Sequence, residues 1–231
     1  MTDLTQALSL PYPGRGIVCG LTPDGKKAAA AYFIMGRSRN SRNRVFVENG
    51  NDVVIHPRDP SLVEDPRLII YSPVRVCGNT LIITNGDQTD TVFDGLVSGK
   101  TFEDALETRR FEPDAPNFTP RISALLSLKA PFSYKLSILK NTDGTGGKCG
   151  RFTYHYEAEP GVGHLIHTYQ ENRNPLPPFE GEPRAVRVPC GFDEWTDTIW
   201  NALNEDNRIS LFTRFIDLET MAEESRVINK Y

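Results

Sequence analysis

The sequence predicts a single mixed α+β domain in which antiparallel hairpins dominate. Three observations carry this reading. Short β-rich runs alternate with Asn-Gly and Gly-Asn turns through the first ninety residues. Helical periodicity is confined to two segments, near 101–111 and 192–204. No internal repeat or linker interrupts the 231 residues, a length suited to one sizeable core.

Taken in order, "GIVCG" (16–20) is a short apolar strand followed by the turn "TPDGK" (22–26). "AAAAYFIMG" (28–36) suits a buried strand or a short helix, and strand is preferred because Gly36 ends it early and a Pro-Asp-Gly turn precedes it. "RVFVENGNDVVIHP" (44–57) reads as a hairpin around Asn-Gly, and "VRVCGNTLIITNG" (74–86) as another with Gly78-Asn79 at its tip. The first helix begins at Thr101, with Asp104 three positions on as in a capping box; Phe102, Ala105, Leu106 and Arg109 share a face. A loop with three prolines (112–120) follows, then strands at 121–128, 133–140 and 151–159. Residues 171–190 are proline-rich and read as an extended loop. Phe192, Trp195, Ile199 and Leu203 recur at helical spacing, and 208–218 closes as a late strand.

Composition narrows the function classes. The formal net charge is −4, which argues against a surface that tracks nucleic acid. Against that acidic background, "GRSRNSRNR" (36–44) concentrates Arg37, Arg39, Arg42 and Arg44 between two strands, spaced by serine and asparagine. A solvated basic loop is the ordinary reading, but the spacers suit phosphate and ribose contacts. The four cysteines lie far apart with no C-x-x-C pair, so neither a zinc knuckle nor a disulfide framework is indicated. His155, His164 and His167 lack a supporting carboxylate pattern, and no metal is assigned to them. "DGTGGKCGR" (143–151) lacks P-loop spacing and reads as a hairpin tip. The N-terminus does not read as a signal peptide and no apolar run is long enough to span a bilayer, so a reduced, cytoplasmic protein with no membrane partner is expected.

Three polar segments remain. "TNGDQTD" (84–90) follows a buried strand and reads otherwise as a plain polar turn. "NFTPR" (117–121) leads into another strand. Glu112 follows the first helix, where the C-terminal dipole disfavours a carboxylate, and so hints at a non-structural role.

Taken together and in order, "YPGRG" (12–16), "GLTPDGKKAAAAYFIMGRSRNSRNR" (20–44), "IIYSPV" (69–74), "TNGDQTD" (84–90) and "FEPDAPNFTPRI" (111–122) resemble the archaeal-type IMP cyclohydrolase family. The resemblance is good from about residue 12 to 128 and thins after 130; the 171–190 segment looks like an addition, and "NFTPR" carries one extra residue. It implies a four-layer αββα sandwich resembling the N-terminal-nucleophile hydrolases, without a processed N-terminal nucleophile. It implies ring closure of 5-formamidoimidazole-4-carboxamide ribonucleotide to IMP with loss of water, a small-molecule purine ribonucleotide as partner, no metal or redox cofactor, and a homo-oligomer. On the matching motifs, Arg44, Tyr71, Asn85 and Glu112 are the expected catalytic residues. Arg37, Ser38, Asn43, Asp90, Asn117, Thr119 and Arg121 are the expected substrate-binding residues. Within that set Arg37, Ser38, Thr119 and Arg121 are assigned to phosphate and ribose, Arg44 and Asn85 to the formyl oxygen or carboxamide, and Tyr71 and Glu112 to proton transfer. The alternatives are a related enzyme or binding protein for a different phosphoribosyl nucleotide, a nucleic-acid-binding protein using the arginine loop, and a formyltransferase for the preceding step. The last would need a folate domain for which this chain has no room.

Overall fold

The computed structural model describes residues 1–63 and 70–231. Ile69, the first residue of the "IIYSPV" motif, lies outside them. The chain is mixed α/β, with two antiparallel sheets and few helices.

In chain order the elements are α1 (Leu4–Leu8), β1 (Arg15–Leu21), β2 (Lys27–Met35), β3 (Val45–Asn49), β4 (Asp52–His56), β5 (Val74–Cys77) and β6 (Thr80–Thr84). There follow α2 (Gln88–Val97), α3 (Phe102–Leu106), β7 (Arg121–Ser127), β8 (Ser133–Asn141), β9 (Cys149–Glu157) and β10 (Val162–His167). The chain ends with β11 (Arg184–Arg187), α4 (Phe192–Ala202), β12 (Arg208–Asp217) and β13 (Glu223–Asn229). One sheet has six strands in the order β11-β10-β1-β2-β12-β13 and the other has seven in the order β3 to β9.

The alanine-rich β2 shows why these residues form a strand and not a helix. Its side chains alternate: Ala28, Ala30, Tyr32 and Ile34 join the core shared by both sheets. Ala29, Ala31, Phe33 and Met35 join the cluster under α1 and α4. Both faces are buried, so period-two packing over two cores overrides the helix propensity of alanine. The small alanines let α4 close on the sheet, and fully buried Trp195 donates from Nε1 to the Ala30 carbonyl at 3.3 Å. On the outer face of the seven-stranded sheet, Ile82, Leu125 and Leu139 pack with Val92, Phe102 and Leu106 of α2 and α3.

The predicted hairpins hold: Asn49 pairs with Asp52, Cys77 with Thr80, and Asn141 with Cys149 across the glycine-rich tip. Thr101 caps α3 by accepting from the Asp104 amide at 3.1 Å. Several expectations need correction. "TNGDQTD" is not a free turn but runs into α2, whose Thr, Val and Gly residues are weak helix formers. Tertiary packing holds it: a Cβ on Gly95 would sit 2.6 Å from the Ala105 Cβ, so glycine permits the close α2–α3 approach. α3 stops at Leu106, so Glu112 does not abut a helix C-terminus, and Arg109 pairs with Asp87 instead of sharing the helix face. The proline-rich 171–190 stretch contains β11, and the short α1 and the edge strand β13 were not anticipated. No helix among the described residues is long and apolar enough to cross a membrane.

Candidate active site

The site lies where β1 begins, β2 ends, and the 36–44 and 112–120 loops meet. A cleft of about 280 Å³ is lined there by Arg37, Ser38, Arg44, Glu112, Asn117 and Thr119 from the sequence-derived set. Tyr12, Arg15, Asn40, Ser41, Asp114, Tyr169 and Leu176 complete it.

Its floor is cationic. Arg15 is 8% exposed and Arg44 5%, and the Nε of each is buried with no partner. Burial opposes the charge on Arg15, yet Tyr12, Tyr169, Glu112 and Tyr71 together hold its pKa above the ordinary guanidinium value. Burial, and then the neighbouring Arg15 charge, push Arg44 the other way. Both remain protonated at physiological pH, because guanidinium does not titrate there. Buried guanidinium nitrogens without acceptors among the described residues are costly, so these two Nε atoms suit an anion.

Proton-handling groups surround that floor. Burial raises the Glu112 pKa, with Arg15 and Arg121 pulling it back. Burial likewise raises Tyr71, whose hydroxyl lies 3.0 Å from that of fully buried Tyr32. On the opposite wall Thr119 Oγ1 contacts an Asp114 carboxylate oxygen and lies 2.6 Å from the Tyr169 hydroxyl. Asp114 also accepts from the Thr119 amide at 2.6 Å, so one carboxylate fixes both the backbone and the hydroxyl of Thr119. Tyr12 stacks on Tyr169 with centroids 6.0 Å apart, and the Arg37 guanidinium lies 4.8 Å above the Tyr12 ring.

Five sequence-derived residues lie outside the cleft lining, Tyr71 among them. The Asn85 amide donates to the Pro120 carbonyl at 2.8 Å and accepts from the Ile122 amide and Gln88, so it ties the turn before α2 to the start of β7. Arg121 is held by Asp87 at 2.7 Å and donates to Gln88 Oε1 at 2.6 Å. Asn43 binds the Asp59 backbone through both amide atoms at 2.7 Å. Asp90 pairs with Arg75 at 2.8 Å and lines a separate hollow together with Tyr71. Each was read as ligand-directed because polar residues in loops look alike in sequence; their hydrogen bonds show internal partners. Of the missed residues, Arg15 and Asp114 stood within the quoted motifs. Tyr169 carried no local signal: it follows β10, which is brought beside Arg15 by long-range pairing with β1, Gly16 opposite His167 and the Thr168 amide on the Arg15 carbonyl at 2.9 Å.

The fold and cleft define a class: a protein of two antiparallel sheets with a buried, doubly cationic pocket edged by a carboxylate and tyrosines. A family described as IMP cyclohydrolase-like protein matches residues 12–220, and the chain belongs to it. The IMP cyclohydrolase of Methanopyrus kandleri is 34% identical over 146 residues, covering 58% of this chain and 72% of that protein. Those of Methanococcus aeolicus and Methanocaldococcus jannaschii are each 33% identical, over 120 and 117 residues, covering 50% of this chain and 58% and 56% of theirs. With those two the shared region spans little more than half of the relative's length.

Proposed function

We propose that this protein is an IMP cyclohydrolase, closing the purine ring of 5-formamidoimidazole-4-carboxamide ribonucleotide with loss of water. Family membership supports this, and the observation that carries it is the Arg15–Arg44 floor beside Glu112, with both Nε atoms buried and unpartnered among the described residues.

The carboxamide nitrogen attacks the formyl carbon of the same molecule. The C–N bond forms and the formyl oxygen leaves as water, carrying one hydrogen from each of the two nitrogens. No atom enters from outside, so catalysis reduces to holding the groups together, stabilising charge on oxygen, and moving protons. In this reading Arg37 and Ser38, at the exposed rim, bind the 5′-phosphate with Ser41 and Asn40. Arg15 and Arg44 stabilise the formyl and carboxamide oxygens. Glu112, kept protonated to higher pH by burial, delivers a proton to the departing oxygen. Tyr71 acts on the carboxamide side. Asn117, Thr119 and Tyr169 face the ribose. Asn85, Arg121, Asn43 and Asp90 hold the loops that carry these groups.

The finer architecture belongs to the same reading. The two sheets share one core, while α1 and α4 pack on one outer face and α2 and α3 on the other, which supports an αββα sandwich akin to the N-terminal-nucleophile hydrolases. The same reading takes a single domain and a cytoplasmic location from the sequence pattern and a homo-oligomer from the resemblance, and sedimentation would test the last.

The test is incubation with the formamido ribonucleotide, without added metal or folate, following IMP by chromatography. Wild type should form IMP, Arg44→Ala should not, and Tyr71→Phe should slow turnover by about 100-fold, the low end for loss of a general acid or base. A well-folded wild type that forms no IMP would overturn the assignment.

A further inference from the structure

The 36–44 loop separates its arginines. Arg37 and Arg44 line the cleft above, whereas Arg39 and Arg42 line a different hollow of about 700 Å³ together with Arg58, Leu62 and Tyr231. This second hollow is assembled by specific bonds. The buried Asn43 amide accepts from the Asp59 amide and donates to its carbonyl, both at 2.7 Å, and so clamps the turn bearing Arg58 against the loop bearing Arg39 and Arg42. Arg42 is oriented by bonds from Nε to the Gly36 carbonyl at 3.1 Å and from its terminal nitrogen to Asn207 at 3.4 Å. Three guanidiniums therefore meet on one concave surface with a single side-chain carboxylate among the described lining residues, Asp59. That carboxylate is committed to the Ser61 amide at 2.9 Å and hydroxyl at 2.6 Å.

The chemistry of the lining selects a ligand class. Like charges held together by a buried amide are stabilised by an anion, and exposed guanidiniums grip phosphate bidentately. The Tyr231 ring, 4.8 Å beneath the Arg58 guanidinium, and the Leu62 side chain add a flat, apolar surface. A confined hollow on a chain of net charge −4 does not suit a polynucleotide track. We propose that this hollow is a second anion site that takes a nucleoside phosphate, with the phosphate on Arg39 and Arg58 and the base against Tyr231 and Leu62. It is separate from the reaction cleft, sharing only the arginine loop as a common wall.

Equilibrium dialysis with AMP on the full chain tests it. The double variant Arg39→Ala, Arg58→Ala should lose one bound equivalent per chain, or bind that equivalent at least tenfold more weakly, with its unfolding midpoint unchanged. Any AMP taken up by the reaction cleft is identified separately, because Arg15→Met removes that equivalent alone. Arg39→Lys, Arg58→Lys keeps the charge but loses the bidentate geometry and should fall between. Adenosine should bind at least tenfold more weakly than AMP. An AMP isotherm unchanged by the double substitution, or adenosine binding as tightly as AMP, overturns the proposal. If the protein forms no IMP but the AMP equivalent still depends on Arg39 and Arg58, the second site stands and the assigned reaction falls.

Discussion

Arg15 and Arg44 direct two buried guanidiniums at one cleft, and burial, followed by the charge of Arg15, lowers the pKa of Arg44. Glu112 and the surrounding tyrosines offset part of this repulsion, but the Nε of each guanidinium is buried without a partner among the described residues. Arg44→Met should therefore leave the unfolding midpoint unchanged or raise it, because replacing buried charge by a similar apolar volume is often neutral or stabilising. The same variant should lose the midpoint rise that IMP gives wild type, since a ligand stabilises only the state it binds. Thermal unfolding with and without IMP reads both; a strongly destabilised Arg44→Met would mean that the charge is compensated in the ligand-free protein.

Glu112 should give the activity profile its alkaline limb. Its folded pKa is raised, first by burial. A raised carboxylate pKa means the folded state prefers the protonated form, so the group's stabilising contribution is full below the unfolded value and is lost as pH rises through the folded one. Turnover that needs the proton declines through that same window. Glu112→Gln should cut kcat by about 100-fold or more, change KM little, and erase the limb. It should also be relatively more stable than wild type at neutral pH than at acidic pH. A turnover profile that retains its limb in the variant would remove Glu112 from proton transfer.

His167 predicts the opposite sign. Burial drives its pKa down to about 4, and its Nε2 has no partner, while Nδ1 lies 3.0 Å from the Tyr169 carbonyl. A depressed histidine pKa favours the neutral ring in the folded state. Its contribution is present above the unfolded value of about 6.5 and is lost as pH falls from there through the folded one. His164, lowered to about 4 by burial, titrates in the same window. Denaturant midpoints should drop steadily between those two pH values, with a shallower slope in His167→Asn. Equal slopes would place the acid sensitivity elsewhere.

Asn85 separates a positioning role from a catalytic one. Its carbonyl oxygen and its amide nitrogen both have internal partners on the segments that begin β7 and α2. Asn85→Ala leaves the Pro120 carbonyl and the Ile122 amide without that partner, and each such buried group costs about 1–3 kcal/mol. A loss of at least about 2 kcal/mol is expected in urea unfolding. Asn85→Asp keeps the acceptor for Ile122 and should recover part of it. A stable but inactive Asn85→Ala would return the residue to direct contact with substrate.

The sequence made the sheets legible where packing is periodic, and the site only where its residues sit in ordered motifs. α4 presents Phe192, Trp195 and Ile199 at helical spacing and was readable from it, whereas β2, apolar on both faces, was readable as a strand from the Pro-Asp-Gly turn before it and Gly36 after it. α2 was not, because its residues are weak helix formers and it is held by packing, through Val92 on the sheet and the Gly95–Ala105 approach to α3. Arg37, Arg44, Glu112 and Thr119 line the cleft, but loop position alone did not separate them from Asn43, Asp90 and Arg121, which bond internally. The arginine loop carried charge in its sequence but not the direction in which each side chain points. That direction is set by Asn43 and Asn207, which lie in or beyond the loop and bond across it.

Tyr169 is the clearest contribution of the second half of the chain, and its prediction follows from its neighbours. Its hydroxyl is 2.6 Å from Thr119 Oγ1, which Asp114 also holds, and its ring lies on Tyr12. Burial raises its pKa, against the nearby Arg15, so it stays protonated and offers a hydrogen bond and not a negative charge. Tyr169→Phe keeps the ring and removes one hydroxyl. Thr119 retains Asp114, so the fold should lose no more than about 1.5 kcal/mol, the usual net worth of one hydrogen bond. If the hydroxyl positions the ribose, that interaction exists before and during ring closure. KM should then rise by up to about tenfold, with kcat nearly unchanged. A collapse of kcat with KM preserved would instead place Tyr169 among the groups that move the proton, and Glu112 and Tyr71 would no longer suffice.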